Sequence, residues 1–400
     1  MSSFKRREKE NLNQLSLLSE AASLLLDPKA ISPQLKQLNR SKAVDRLSQL
    51  NPWGRSASGR DTVWLFDNTA FKATPDGPWQ AEFVAAIFKQ YPDRRESEVV
   101  DKILDIANLS DTPAERAVID KRLRPFLTDA RPFTKTRIRH GGKSLQLGPA
   151  GLNGISEDIL EVADNRGHTS VRAQAVAPRG MNGVLEMQTF YAGPEGWAIL
   201  SDIDDTIKVT LTSDTIGIIR ETFIHPPTPV AGMPELYADV QDFLPVDTPW
   251  FYLSASPYQL YPFLKGFRDR YFPPGTIIVR DPPWDSITGL IASLAFGTEE
   301  YKVDRMDKVN SWLPKRKMIV IGDSTQSDPE AYGRIYREKP GWVKLILIRK
   351  VTDIAAVGIE EKNDDKRFEE AFKGIPRHVW HVFEEPRECL RIIKDAVRRG

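Results

Sequence analysis

Residues 198–206 read AILSDIDDT, a short apolar run that ends in three carboxylates, Asp202, Asp204 and Asp205. Acids crowded this closely repel one another, so the cluster points to a cation or to a catalytic task. The same design recurs downstream. WAILSD, PWFYLSAS, GTIIVRD, KMIVIGD and WVKLILIR are apolar runs that each pass into polar loop residues. Between them lie stretches such as YQLYPFLKGFRDRYF and EEYKVDRMDKVNSWL, whose apolar residues recur at helical spacing. Strands alternating with helices predict an α/β fold with a parallel sheet covered on both faces. Ligands of such sheets sit beyond the carboxyl ends of the strands. The polar residues there are Asp202, Asp204, Ser254, Asp281 and Asp323.

This pattern occupies a zone of 196–400. Ahead of it, 59–195 reads as a small β-sandwich-like domain with a helical insertion. VWLFDNTAF, KTRIRH, SLQLGP, TSVRAQAVA and VLEMQTFYA are strand-like, whereas SEVVDKILDIANL and PAERAVIDKRLRPFL carry the 3.6-residue period. His140 and His168 lie near glycines, in expected solvated turns. Residues 1–58 form an amino-terminal helical and linker segment. Leu15, Leu18, Ala22 and Leu25 fall at helical spacing behind a basic lead-in, and GRSASGR at 54–60 has linker composition. That helix is expected to pack on the body of the protein, with an interfacial helix as the other reading.

Composition narrows the function. Lys plus Arg number 56 against 55 Asp plus Glu, so no global field argues for nucleic acid. A lone cysteine, Cys389, suits a reducing compartment. No stretch approaches the roughly 20 apolar residues of a transmembrane segment. A soluble, cytoplasmic protein is expected. Neither GxGxxG nor a P-loop is present, so nucleotide binding has no support.

Asp202 and Asp204, two residues apart at a strand end, can face one cleft. One carboxylate can attack an electrophilic centre and form a covalent intermediate. Its neighbour can protonate the leaving oxygen and then take a proton from water. Mg²⁺, which takes one or two carboxylates together with substrate phosphate, would offset the crowded negative charge. Three further features follow in order: FYLSAS, where an apolar strand ends in Ser254, a lysine, and IVIGDSTQSD with Asp323 and Asp328. Ser254 either hydrogen-bonds a phosphoryl oxygen or caps the next helix. Asp281 is expected to cap or to bind loop amides, and the HVWH pair His378 and His381 lacks a third zinc ligand nearby.

This constellation resembles the haloacid dehalogenase-like (HAD) phosphatases, which implies a Rossmann-like catalytic domain. ILSDIDDTIKVT, FYLSASPYQLYPFL, EEYKVDRM and IGDSTQSDPEAY are closer still to the Mg²⁺-dependent phosphatidate phosphatases of fungal cortical actin patches and their bacterial relatives. WLFDNTAF and GPWQAEF are similar to that family's amino-terminal region. The resemblance implies that Asp202 is the nucleophile and a metal ligand. Asp204 would be the general acid/base, its backbone carbonyl a further ligand. Ser254 and a lysine would hold the phosphoryl oxygens, and Asp323 would complete the metal site with Asp328 behind or beside it. It also implies phosphatidic acid as substrate at a membrane surface, peripheral attachment, and cortical actin or endocytic proteins as partners. The long Pro-rich tail of some fungal members is missing from this sequence.

Geometry selects the lysine. The helix of EEYKVDRMDKVNSWL starts near the carboxyl ends of the strands, so Lys302 in its first turn can reach the acids. Lys308 lies about 9 Å farther along the axis, and Lys317 precedes a strand at the opposite edge. Only 51 residues separate Asp202 from Ser254, and 47 separate Ser254 from Lys302. Neither gap holds a large cap, which suggests an open site suited to a lipid head group or a phosphoprotein. Ile218, Ile219, Phe223, Ile224 and Trp284 either face a membrane there or pack in the core. Phosphatidic acid hydrolysis is thus weighed against soluble or protein phosphoesters, and against a non-catalytic module on a relic phosphatase fold.

Overall fold

The structure is a computed structural model describing residues 54–90, 112–280, 298–352 and 358–399, with 100, 101, 103 and 104, and without 75 and 166. The amino-terminal helix, Asp281 and Trp284 lie outside the described residues. The chain is α/β, with a mixed sheet followed by a parallel one.

The first sheet joins ten strands: β1 (Arg55–Ser56), β2 (Asp61–Leu65), β3 (Asn68–Lys72), β4 (Trp79–Lys89), β5 (Thr134–His140), β6 (Lys143–Leu147), β7 (Ile155–Glu161), β8 (Ser170–Ala175), β9 (Asn182–Val184) and β10 (Glu186–Tyr191). VWLFDNTAF is two strands, β2 and β3. Phe66 and Asp67 break the run, because the Asp67 backbone N–H and side chain are engaged by other elements. Residues 54–60 are tied in, with β1 paired to β5 and the Asp61 carboxylate accepting from Ser58. Alternate residues of β4, namely Ala81, Phe83, Ala85 and Ile87, share one apolar core with Val63, Ile138, Ala173 and Met187. His140 is not in a solvated turn. It ends β5 at 1% exposure, its ring bonded to Thr189 Oγ1 at 3.0 Å, because it shares the inward parity of Ile138. His168 is exposed in a turn.

PAERAVIDKRLRPFL forms α1 (Pro113–Leu127). Thr112 caps it by accepting the Glu115 N–H, Pro113 supplies a preset first turn, and Ile119, Leu123 and Phe126 face inward.

The second sheet contains β11 (Trp197–Asp202), β12 (Trp250–Pro257), β13 (Thr276–Arg280), β14 (Lys317–Asp323), β15 (Val343–Arg349) and β16 (Trp380–Phe383). Every pairing is parallel, in the order β13-β12-β11-β14-β15-β16. Strand order therefore reverses between β11 and β14. The main helices are α2 (Thr215–Ile219), which runs into a π-helical turn at Arg220–Ile224, α3 (Met233–Phe243), α4 (Tyr261–Tyr271), α5 (Glu299–Trp312), α6 (Asp328–Glu338) and α7 (Cys389–Arg399), with two short ones at Ile359–Lys362 and Asp365–Ala371. Successive strand residues feed opposite faces. Ile199 and Ile321 join Leu236, Leu264 and Ile393 on one side, while Leu200 and Val320 join Val303, Met306 and Ile335 on the other. That alternation under two helical layers explains why the strands read as continuous apolar runs.

The two sheets pack through one another's side chains. Arg268 Nη2 donates to Asp67 Oδ2 at 2.7 Å, the Asp67 N–H donates to the Tyr261 hydroxyl at 2.7 Å, and Thr69 meets Thr276 at 2.7 Å. Ile218, Ile219 and Phe223 are fully buried and Ile224 is 8% exposed, so these four are core residues and do not face a membrane. Among the described residues no helix is long and apolar enough to cross a membrane.

Candidate active site

β11 and β14 are adjacent, and each ends in an aspartate, Asp202 and Asp323. Asp328 opens α6, where the helix amino terminus favours negative charge. Gly322 lets it approach: a Cβ there would stand 2.7 Å from the Asp328 Cβ. Asp202, Asp323 and Asp328 thereby bring one carboxylate oxygen each to within 4.8 Å of one another.

Lys302, in the first turn of α5, reaches into this group. Its Nζ lies 2.8 Å from Asp202 Oδ1 and 2.6 Å from Asp328 Oδ1, and the residue is wholly buried. Lys308 points elsewhere, pairing with Glu82 at 2.7 Å, and Lys317 begins β14 at the far end of that strand. The Thr206 hydroxyl lies 3.1 Å from both Asp202 Oδ2 and Asp323 Oδ2. Asp204 accepts from Ser254 at 2.6 Å on Oδ2 and from Thr210 at 2.8 Å on Oδ1. The Ser254 Oγ also accepts the Ser256 N–H at 3.0 Å.

The acids do not line an open cleft. Asp202, Asp323 and Asp328 are fully buried and Asp204 is 4% exposed, because hydroxyls and the Lys302 ammonium pack against their oxygens. Burial pushes Asp202 well above the usual carboxylate range even though the Lys302 charge pulls it down. Burial and the neighbouring Asp328 push Asp323 up to about 7. Burial alone would lower the Lys302 ammonium, but Asp202 and Asp328 outweigh it and hold the lysine protonated.

The donor set suits a hard divalent cation. It is all carboxylate oxygen, and Asp328 Oδ2 is buried without a hydrogen-bond partner. An orphaned buried carboxylate oxygen is costly unless something charged meets it.

Several residues that organise the site carry no role in the sequence reasoning above. Asp205 takes a left-handed φ of 60° and its carboxylate collects the N–H groups of Thr210, Leu211 and Thr212. Thr206 and Tyr301, the latter bonded to the Ser254 carbonyl at 3.0 Å, complete the frame. The Thr at the end of SDIDDT was a visible signal. The loop that Asp205 gathers was not, because only backbone conformation reveals it. His225 is exposed and bonds Glu221 at 2.7 Å, away from these acids.

Residues 197–350 match the sequence model described as the catalytic domain of phosphatidate phosphatase APP1. Across 252 residues the chain is 29% identical to phosphatidate phosphatase APP1 of Saccharomyces cerevisiae, an alignment covering 59% of this chain and 41% of the yeast protein. The chain therefore matches less than half the length of that relative. By this likeness, segment 197–350 resembles a phosphatase catalytic domain. More narrowly, it is similar to that of phosphatidate phosphatases of the APP1 type.

Proposed function

We propose that this protein is a Mg²⁺-dependent phosphatidate phosphatase that releases diacylglycerol and inorganic phosphate through an aspartyl-phosphate. The observation that carries the reading is the buried cluster of Asp202, Asp323 and Asp328 around the Lys302 ammonium, at the reversal of strand order between β11 and β14. We take the parallel sheet as a HAD-like, Rossmann-type domain, and the ten-stranded sheet as the β-sandwich-like unit with α1 as its helical insertion.

In this reading an Asp202 oxygen attacks phosphorus as the bond to the glycerol oxygen breaks, and Asp204 gives that oxygen its proton. Asp204 then takes a proton from the water that attacks the acyl-phosphate, which frees phosphate and regenerates Asp202. Lys302 stabilises charge on the phosphoryl oxygens, and Ser254 would turn from Asp204 to donate to one of them. Asp202, Asp323, Asp328 and the Asp204 backbone carbonyl would hold Mg²⁺. When bound, the ion offsets the charge of the acids and polarises the phosphoryl group.

Peripheral contact with a membrane from the cytoplasmic side belongs to the same proposal. Two measurements test the reading: release of phosphate from phosphatidic acid in mixed micelles with and without Mg²⁺, and the same assay on Asp202→Asn. Mg²⁺-dependent release that vanishes in the variant supports it. Release only from phosphopeptides or soluble esters moves the substrate elsewhere, and undiminished release by Asp202→Asn refutes the nucleophile.

A further inference from the structure

Asp204 is held from both sides, and the second contact has its own support. Thr210 Oγ1, 2.8 Å from Asp204 Oδ1, also lies 2.9 Å from the Nζ of Lys208. Lys208 and Thr210 are each 1% exposed. The remaining Lys208 contacts are the Val209 carbonyl at 3.1 Å and the Phe263 ring, 5.6 Å to its centre. No described carboxylate comes within 4.0 Å of this buried ammonium, and Asp204, Asp205 and Glu221 act on its charge from farther away.

An ammonium has hydrogens to give and no lone pair to receive with. Where Lys208 donates to Thr210, the hydroxyl proton must point elsewhere. Two acceptors are in reach, Asp204 Oδ1 at 2.8 Å and the Lys208 carbonyl at 3.3 Å, and the Asp204 oxygen is nearer. The loop fixes Thr210 independently, since its N–H donates to Asp205 Oδ1 at 2.9 Å. Ser254 and Thr210 therefore clamp opposite oxygens of one carboxylate.

We infer that Lys208 and Thr210 are positioning residues for Asp204: the amine fixes the direction of the threonine hydroxyl, and the hydroxyl fixes the carboxylate that serves the leaving oxygen. This rests on the reading of Asp204 as proton donor given above. Protonation of the leaving oxygen matters for a glycerol alkoxide and little for p-nitrophenolate, which leaves unaided. The clamp is thus tested by its leaving-group selectivity, which a merely structural residue would not alter.

Thr210→Val, Thr210→Ser, Lys208→Met and Asp204→Asn are compared at saturating Mg²⁺. The readouts are turnover of dioctanoyl phosphatidic acid and the pre-steady-state burst of p-nitrophenolate from p-nitrophenyl phosphate. Leaving a buried Asp204 oxygen without its hydrogen-bond partner predicts a fall of about ten- to a hundredfold in lipid turnover for Thr210→Val. Its burst rate should stay within about threefold of wild type, and Thr210→Ser should recover most of the loss. Lys208→Met should show the same selectivity to a smaller degree, and it decides the matter if Thr210→Val does not fold. Melting temperatures in chelator and the Mg²⁺ concentration for half-maximal activity should change little in Thr210→Ser and Lys208→Met. Equal loss of burst and turnover in both Thr210→Val and Lys208→Met, or no recovery in Thr210→Ser, overturns the inference. If Asp204→Asn shows the selectivity and Thr210→Val and Lys208→Met do not, the inference fails alone. If Asp204→Asn lacks it, the role of Asp204 fails and the clamp with it.

Discussion

Replacing Lys302 by methionine keeps much of the side chain's length and removes its charge. In the structure that charge sits 2.8 Å from Asp202 and 2.6 Å from Asp328 with no exposure to water. At an effective dielectric of about 20, charges this close attract by about 6 kcal/mol, a gross figure that applies to ground and transition states alike. Only the part that grows as the phosphoryl group transfers reaches the rate. Loss of one preorganised contact of this kind costs about 3 to 4 kcal/mol, or two to three decades in turnover. The assay is phosphate release from phosphatidic acid across a Mg²⁺ titration. Turnover should fall at least about a hundredfold. The half-saturating Mg²⁺ concentration should fall as well, because one positive charge has left a group of three acids. Lys308→Met is the control: Lys308 lies on the same helix but is bonded to Glu82 of β4, and turnover of this variant should stay within a few-fold. A Lys302→Met enzyme within about threefold of wild type would refute the phosphoryl role. A loss accompanied by a raised Mg²⁺ requirement would show that the lysine works by holding the metal ligands instead.

Three further outcomes are expected. Asp204→Asn should give a burst of p-nitrophenolate and a trapped acyl-phosphate followed by very slow turnover, and a variant with no burst contradicts the division of labour between the two acids. In chelator, Asp323 is raised from 3.8 to about 7, so between those values the folded state binds more protons than the unfolded one and stability falls as pH rises. Thermal melts should therefore shift in favour of Asp323→Asn over wild type from about pH 5 to about pH 8, and Mg²⁺ should remove the shift. Gly322→Ala would put a Cβ 2.7 Å from Asp328 and 2.8 Å from the Tyr332 ring. It should lower stability by about 1–3 kcal/mol and raise the Mg²⁺ requirement, as melting and metal titration would read.

Asp202 and Asp323 were legible because each ends an apolar run long enough to be a buried strand, with helical stretches between the two runs. Lys302 was legible by the same logic, from the direction in which a helix must run between two parallel strands. Helix α1 announced itself through the 3.6-residue period of PAERAVIDKRLRPFL. β4 did not, although it is the longest strand of the first sheet. Ala81, Ala85 and Ala86 have weak strand preference, and their fitness comes from the close packing they permit at zero exposure. His140 was misplaced because adjacent glycines suggested a turn, while the two-residue period of TKTRIRH carried the better signal. The burial of the acids lay beyond sequence, since it depends on which hydroxyls and which ammonium arrive from four separate segments.

Similarity to the catalytic-domain family begins at Trp197, but the apolar cluster does not stop there. Trp64, Phe66 and Phe88 of the preceding sheet lie in one continuous cluster with Ile199, Tyr252 and Tyr261. Arg268, 2% exposed, has Asp67 as a counter-charge from across that seam. A fragment that begins where the catalytic-domain match begins would keep all four acids and Lys302, yet lose one of the two carboxylates paired with a buried guanidinium, Asp269 being the other, and one wall of the core. The stretch matched as a catalytic domain is thus shorter than the stretch that must fold together to keep the acids in place.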